Sequence, residues 1–362
     1  MATILLEDGT KIQAQSFGAQ GETFGEIVFN TSMEGYQEIL SDSSSINQIV
    51  VMTYPEIGNY GINDDDFNSD NSKIKALVVK EYSKIYSHHK AKKTLAQYLQ
   101  EKGIIGVFGV DTRALAKKIR DCGTMNCFIS SNDLSDEQTQ EKLNETKNYK
   151  PNPNAVLEVT TKEKYKLGEN NEIKVAVIDL GAKKGMLKSL VNRGCELTIM
   201  PADTQANEIL ENNFDCVFLT NGPDDPQNCT TQLEVLKNLI GKIPIFGVGL
   251  GFELLAIISG AKTYKLKYGH RGANHPVKDL KTQKVLMTSQ NHSYSVDVST
   301  MSEIMDPTYK NLNDETIEGF EIESLKVHGV QFCPECAPCV CDTGEIFDNW
   351  VELMKKYKKA RV

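Results

Sequence analysis

At 362 residues and 40.3 kDa the chain is long enough for two ordinary domains. Its 40 lysines and arginines against 49 aspartates and glutamates give a formal charge of -9, with no basic block at either end, which argues against a general nucleic-acid binder. The N-terminal stretch Met1-Ala-Thr-Ile-Leu-Leu-Glu-Asp-Gly9 lacks both the basic start and the long apolar core of a signal peptide, and the only membrane-like window, 243–261, is broken by Pro244, four glycines and Glu253. We therefore expect a cytosolic protein with no membrane association, its nine cysteines mostly free thiols.

In chain order, short β-like runs open the first half at 3–6, 11–13 and 26–30, and another at 48–53 ends at Tyr54-Pro55. Alternation and turn residues predict a small mixed domain. Helical spacing covers 93–101 and 112–120, with Gly103 and Gly123 as stops. Between 144 and 171 the composition shifts to Lys, Glu, Asn and Pro, which reads as a linker or surface crossing. The expected division is a first domain over 1–150, a linker over 151–172 and a second domain over 173–362.

The second half alternates: strand 174–179, helix 183–193, strand 196–200, helix 206–211, strand 216–220, helix 232–240, strand 243–246 and a helix from 250. Repeated strand-helix units of this length predict an α/β fold, a mostly parallel sheet with helices on both faces. Ligands of such sheets sit at the strands' carboxyl ends, where the loop Asn221-Gly-Pro-Asp-Asp-Pro226 and the turn after Phe246 fall. Beyond Gly260 the strands read as short and antiparallel (285–288, 294–298, 327–332), and a helix over 346–357 closes the chain.

The turn Gly247-Val-Gly-Leu-Gly251 has the spacing of a nucleophile elbow, G-x-(Ser/Cys)-x-G, in which small neighbours let a strained turn lift a nucleophile above the sheet. Gly249 occupies the apex. With no side chain it can neither attack a carbon nor hold an acyl group.

Particular residues extend the comparison. Phe29-Asn-Thr-Ser-Met-Glu-Gly-Tyr-Gln-Glu-Ile-Leu40 with Thr53-Tyr-Pro55, Val110-Asp-Thr-Arg-Ala-Leu115 with Gly123-Thr-Met125, and Gly269-His-Arg-Gly-Ala-Asn-His-Pro276 resemble the small subunit of carbamoyl phosphate synthetase. The second half alone resembles a class I glutamine amidotransferase domain. The resemblance runs from about Leu5 to Tyr357 and implies a first domain of the synthetase small-subunit type followed by an amidotransferase domain.

It also implies a partner, the synthetase large subunit, which makes carbamoyl phosphate for pyrimidine and arginine biosynthesis from bicarbonate, ATP and ammonia. ATP and magnesium are expected on that large chain, and no cofactor on this one. The family's small subunit hydrolyses glutamine with a Cys-His-Glu triad and passes the ammonia through a tunnel. Carried over, the nucleophile falls on Gly249, the histidine on Cys333 and the acid on Glu335, so only the orienting carboxylate is kept. The second glycine of the family's oxyanion loop is Asp224, whose charge and bulk both oppose a growing oxyanion. Ser44, Gly222, Leu250 and Asn291 match family glutamine contacts. Glu253 stands in place of a glutamine, and Ser293-Tyr294 in place of Gly-Phe, so glutamine binding is in doubt. Concerted change at Asp224, Phe252, Glu253 and Cys333 argues against a single accidental substitution at Gly249.

Further readings stay open. Cys333, Cys336, Cys339 and Cys341 offer four soft ligands within nine residues, a weak metal motif stiffened by Pro334 and Pro338. A rival to the scaffold reading is a working glutaminase with an unrecognised nucleophile, and another is a stand-alone ligand or metal sensor. Asp111-Thr112-Arg113 reads as structural or interfacial, and His270 and Arg271 either face the large subunit or shape the elbow's surroundings.

Overall fold

The structure, a computed structural model, describes residues 1–70, 74–223, 225–335 and 342–360. Its contacts divide the chain into two units, Met1–Asn152 with Lys267–Gly272, and Pro153–Leu266 with Ala273–Val362.

The first unit contains β1 (Ala2–Leu6), β2 (Lys11–Gly18), β3 (Glu22–Asn30), α1 (Tyr36–Leu40), β4 (Gln48–Met52), β5 (Glu56–Ile57), β6 (Ala76–Val78), β7 (Glu81–Tyr82), α2 (Leu95–Lys102), β8 (Ile105–Phe108), α3 (Thr112–Cys122), β9 (Met125–Ser130) and α4 (Asp136–Asn148). Seven strands close a barrel in the order β1-β2-β8-β6-β4-β3-β9, and β5 pairs with β7. Period-two alternation sends neighbouring residues to different cores: Ile49 and Val51 join Ile4, Ile27 and Val78, whereas Val50 and Met52 join Tyr36, Leu95 and Leu99 beneath α1 and α2. The expected helices stand within two residues of their boundaries. α2 starts on a Thr94–Gln97 capping box and stops at left-handed Gly103, and α3 starts on Asp111, whose carboxylate accepts from the Ala114 amide at 2.9 Å.

Helix α4 is absent from the apolar pattern, because of its residues only Thr146 is buried. Its signal is instead the Ser135-x-x-Gln138 capping box. The segment Lys267–Gly272 is tied to this unit by backbone bonds: the Arg271 carbonyl accepts from Thr31 at 3.2 Å, and the Lys267 carbonyl from Thr124 at 2.9 Å.

The second unit contains α5 (Ala155–Val159), β10 (Tyr165–Leu167), β11 (Ile173–Asp179), α6 (Lys184–Val191), β12 (Cys195–Pro201), α7 (Ala206–Glu211), β13 (Cys216–Leu219), α8 (Thr230–Leu239), β14 (Ile245–Val248), α9 (Leu250–Ile258), β15 (Lys262–Asp279), β16 (Val285–Asp297), β17 (Asp306–Asn311), β18 (Ile317–Ile322), β19 (Val327–Val330) and α10 (Glu345–Lys359). The sheet order is β10-β12-β11-β13-β14-β19-β18-β16-β15-β17, with β12-β11-β13-β14-β19 parallel. Leu219, Ile245 and Leu255 pack on one face with Leu236 of α8, and Phe218, Phe246 and Val248 pack on the other with Leu187 of α6 and Trp350 of α10. The parallel strands are apolar on both sides because helices cover both.

Two expectations change. Residues 153–172 of the expected linker count with the second unit and carry α5 and the edge strand β10, paired antiparallel to β12; β10 is exposed throughout, so no apolar signal marks it. β16 runs 13 residues where the sequence suggests the two short segments 285–288 and 294–298, and β15 runs 18 residues where the sequence marks no strand, because most of their positions are half-buried or exposed and interrupt the alternation.

Candidate functional site

The elbow forms as its glycines dictate. Strand β14 ends at Val248, α9 begins at Leu250, and Gly249 between them has φ 57° and ψ -115°. Its amide donates to the Val330 carbonyl at 2.9 Å and its carbonyl accepts from the Glu253 amide at 3.0 Å. A β-carbon on Gly247 would stand 2.7 Å from Leu255 Cδ1, and one on Gly251 2.6 Å from Leu219 Cβ, so close packing of helix on strand demands both glycines. At Gly249 a β-carbon would meet Asn221 Cβ at 3.3 Å, a contact that a few tenths of an ångström relieves. The obstacle there is the backbone angle rather than space.

Since β14 and β19 are parallel neighbours, pairing Val248 with Val330, their carboxyl ends lie side by side and carry Gly249 and the segment 331–335 to one edge of the sheet. The Cys333 amide donates to the Ser289 carbonyl at 2.9 Å, which fixes this segment against β16. The Cys333 sulfur is buried and accepts from Lys183 Nζ at 2.8 Å. The same ammonium lies 3.2 Å from Glu335 Oε1, with side-chain exposures of 3% for Lys183 and 0% for Glu335. That pairing is ionic, without hydrogen-bond geometry: neither Glu335 oxygen has a hydrogen-bond partner among the described residues.

Lys183 reaches this position through the turn after β11. Asp179 Oδ1 accepts from the Gly181 and Ala182 amides at 2.9 and 2.7 Å, an Asx-type turn that starts α6 one residue past the lysine. Sequence reasoning takes Lys183 only as a helix start. The available signal is a lysine just beyond the carboxyl end of a parallel strand, where ligands of such sheets bind.

Of the other expected residues, Gly222 and Leu250 are adjacent: a β-carbon on Gly222 would fall 2.9 Å from Leu250 Cδ2 and 2.4 Å from the Leu180 carbonyl oxygen, so only glycine fits. Glu253 is buried on α9 and accepts from Gln331 Nε2 at 3.0 Å; burial pushes its carboxyl up to about 8, so it is chiefly a neutral acid at pH 7. Asn291, Ser293 and Tyr294 lie half-buried on β16. Between them, His292 Nε2 contacts Gln290 Oε1 at 2.6 Å and Nδ1 the Tyr294 carbonyl at 2.7 Å. Ser44 belongs to the first unit, in a 3-10 turn where its amide donates to Asp42 at 2.9 Å. Asp224, Cys336, Cys339 and Cys341 lie outside the described residues. For the metal reading, Cys333 is a poor donor as placed, because a second cation at its sulfur would stand beside the Lys183 ammonium.

Residues 4–129 match the family described as carbamoyl-phosphate synthase small chain, CPSase domain, and residues 176–353 match glutamine amidotransferase class-I. The carbamoyl phosphate synthase small chain of Clostridium acetobutylicum is 46% identical over 351 residues, 97% of this chain and 99% of that one. The chain belongs to the carbamoyl phosphate synthase small chain family. The small chain of Aquifex aeolicus is 41% identical, covering 97% of this chain and 98% of its own length, and the pyrimidine-specific small chain of Bacillus subtilis is 40% identical, covering 98% and 96%. A solved structure of a glutamine amidotransferase from Thermotoga maritima aligns with TM-score 0.38 and 17% identity over 52% of this chain and 85% of that one. A small chain implies a large chain in the synthase complex.

Within this family member, a cysteine at the elbow can be tested directly. Gly249→Cys is expected to fold but to lose about 1–3 kcal/mol to backbone strain, since any β-carbon is disfavoured at positive φ. Urea unfolding measures the loss; an unchanged or raised midpoint would show that the turn relaxes. The same variant is expected to release no ammonia from glutamine, because position 333 still carries a thiol held by an ammonium rather than an imidazole base.

Proposed function

We propose that this small chain acts as a scaffold or regulator of its large chain and does not hydrolyse glutamine, leaving the large chain to draw ammonia from solution. The observation that carries the proposal is Gly249 at the elbow apex: the turn is built, yet it presents hydrogen where a nucleophile is needed. Two features support it. The base position is a buried thiol engaged by Lys183, and Glu335, which the resemblance makes the orienting acid, is ion-paired with that same lysine. The carbamoyl phosphate would serve pyrimidine or arginine synthesis.

The Lys183–Cys333 contact also favours a second reading, in which Cys333 is the nucleophile, since a neighbouring ammonium stabilises thiolate. One preparation separates the two. The small and large chains are co-purified and carbamoyl phosphate formation from glutamine is compared with that from ammonium. Ammonium-driven turnover with glutamine at background supports the scaffold. Comparable rates from both, with a glutamine-analogue electrophile attached to Cys333, would overturn it in favour of the second reading.

A further inference from the structure

A groove of about 1140 Å³ opens on the first unit, lined by the Asp111-Thr112-Arg113 stretch and by none of the elbow residues or the Lys183 cluster. One wall is the outer stripe of α3, where Arg113, Lys117 and Arg120 recur at helical spacing while Leu115 and Ile119 face the core. Lys80 lines it from the turn beside β8, where its carbonyl accepts from the Gly109 amide at 2.8 Å. Phe29, held by Tyr268 at 5.8 Å between ring centroids, and Phe108 add apolar surface.

The charges are unevenly committed. Arg120 pairs with Asp121 at 3.2 Å, but Lys80, Arg113 and Lys117 meet no carboxylate within ion-pair distance among the described residues. Glu81 and Asp111 also line the groove, so four cations face two carboxylates, and Asp111 is already engaged in capping α3. A chain of net charge -9 thus keeps an excess of positive charge at a concave, partly aromatic place. The volume exceeds what a lone phosphate or carboxylate fills, and suits several side chains of a peptide.

We infer that this groove docks an acidic segment of the large chain, its carboxylates reaching Arg113, Lys117 and Lys80 and an apolar side chain between them resting on Phe29 and Phe108. The inference rests on the chain's place as one subunit of a two-chain synthase. Against the overall negative charge, an acidic segment is attracted at this groove and repelled across the rest of the surface, which fixes orientation as well as affinity.

The test titrates the full-length small chain with the full-length large chain at low and high salt. Both altered side chains are exposed and, among the described residues, meet no carboxylate, so Arg113→Glu/Lys117→Glu is expected to fold normally. It should bind about 100-fold more weakly at low salt, roughly tenfold for each reversed charge, with the gap narrowing at high salt. Arg113→Lys/Lys117→Arg should retain affinity, and Lys237→Glu on the exposed side of α8 should change nothing. Equal affinity of the reversed variant and the unaltered chain would overturn the inference while leaving the subunit reading intact. So would inorganic pyrophosphate that fills the groove without weakening large-chain binding. An unaltered chain that fails to bind the large chain would remove both.

Discussion

Lys183→Met is expected to lower folding stability by about 3–5 kcal/mol, the largest effect expected of a single substitution in the second unit. Its ammonium lies between Cys333 Sγ and Glu335 Oε1, and both carboxylate oxygens lack any hydrogen-bond partner among the described residues. Removing the lysine therefore strands a desolvated charge, and the cost is that of an unpaired ion rather than of one lost contact. The double variant Lys183→Met/Glu335→Gln should recover most of the loss, since no charge is then left buried. Chemical denaturation of the four members of this cycle decides the matter. A single-variant loss below about 1 kcal/mol would mean that water or rearrangement reaches Glu335.

The second large effect is a pH dependence to which Glu253 contributes most and which Glu253→Gln should weaken. The native carboxyl holds its proton to about pH 8, whereas the unfolded chain releases it near the ordinary value of 4.5. Between those values the native state binds more protons, so stability is fullest below about 4.5 and falls as pH rises toward 8. Glu38, pushed up to about 7 by burial, adds to the same fall. His328 acts oppositely: burial lowers its pKa, so stability is lost as pH drops below the ordinary histidine value and the unfolded ring charges first. At pH 8 the glutamine variant should exceed the parent by on the order of a few kcal/mol, and the difference should shrink in acid. Parallel stability curves for the two proteins would show that Glu253 is ionised or solvated in the fold. In its neutral form Glu253 offers a carbonyl and a hydroxyl much as an amide offers a carbonyl and an amine, which is why the substitution should leave the packing unchanged.

The parallel sheet is legible in the sequence because its strands are apolar on both faces and its helices recur at regular spacing. The elbow is legible from three glycines. What escapes detection shares one physical cause: α4, β10 and most of β15 bury little, so no periodic apolar signal marks them. At the site, Gly249, Cys333 and Glu335 come together in the sequence only through resemblance, and Lys183, which lies 150 residues from Cys333 along the chain, is marked only by its place just past a parallel strand. A buried lysine reads like any exposed one until the fold shows which carboxylate and thiol surround it. The cations of the groove are hidden for the same reason, since α3 by sequence is simply an amphipathic helix.

The backbone at Gly249 has a consequence for how such a chain changes over time. Leu255 and Leu219, packed on the flanking Gly247 and Gly251, hold the corner in shape without any contact from a side chain at its apex. Glycine also rests at φ 57° without the steric burden that a cysteine bears there. A change toward glycine at this position is therefore downhill in conformational terms and a change away from it uphill, so the corner itself favours the residue it now carries.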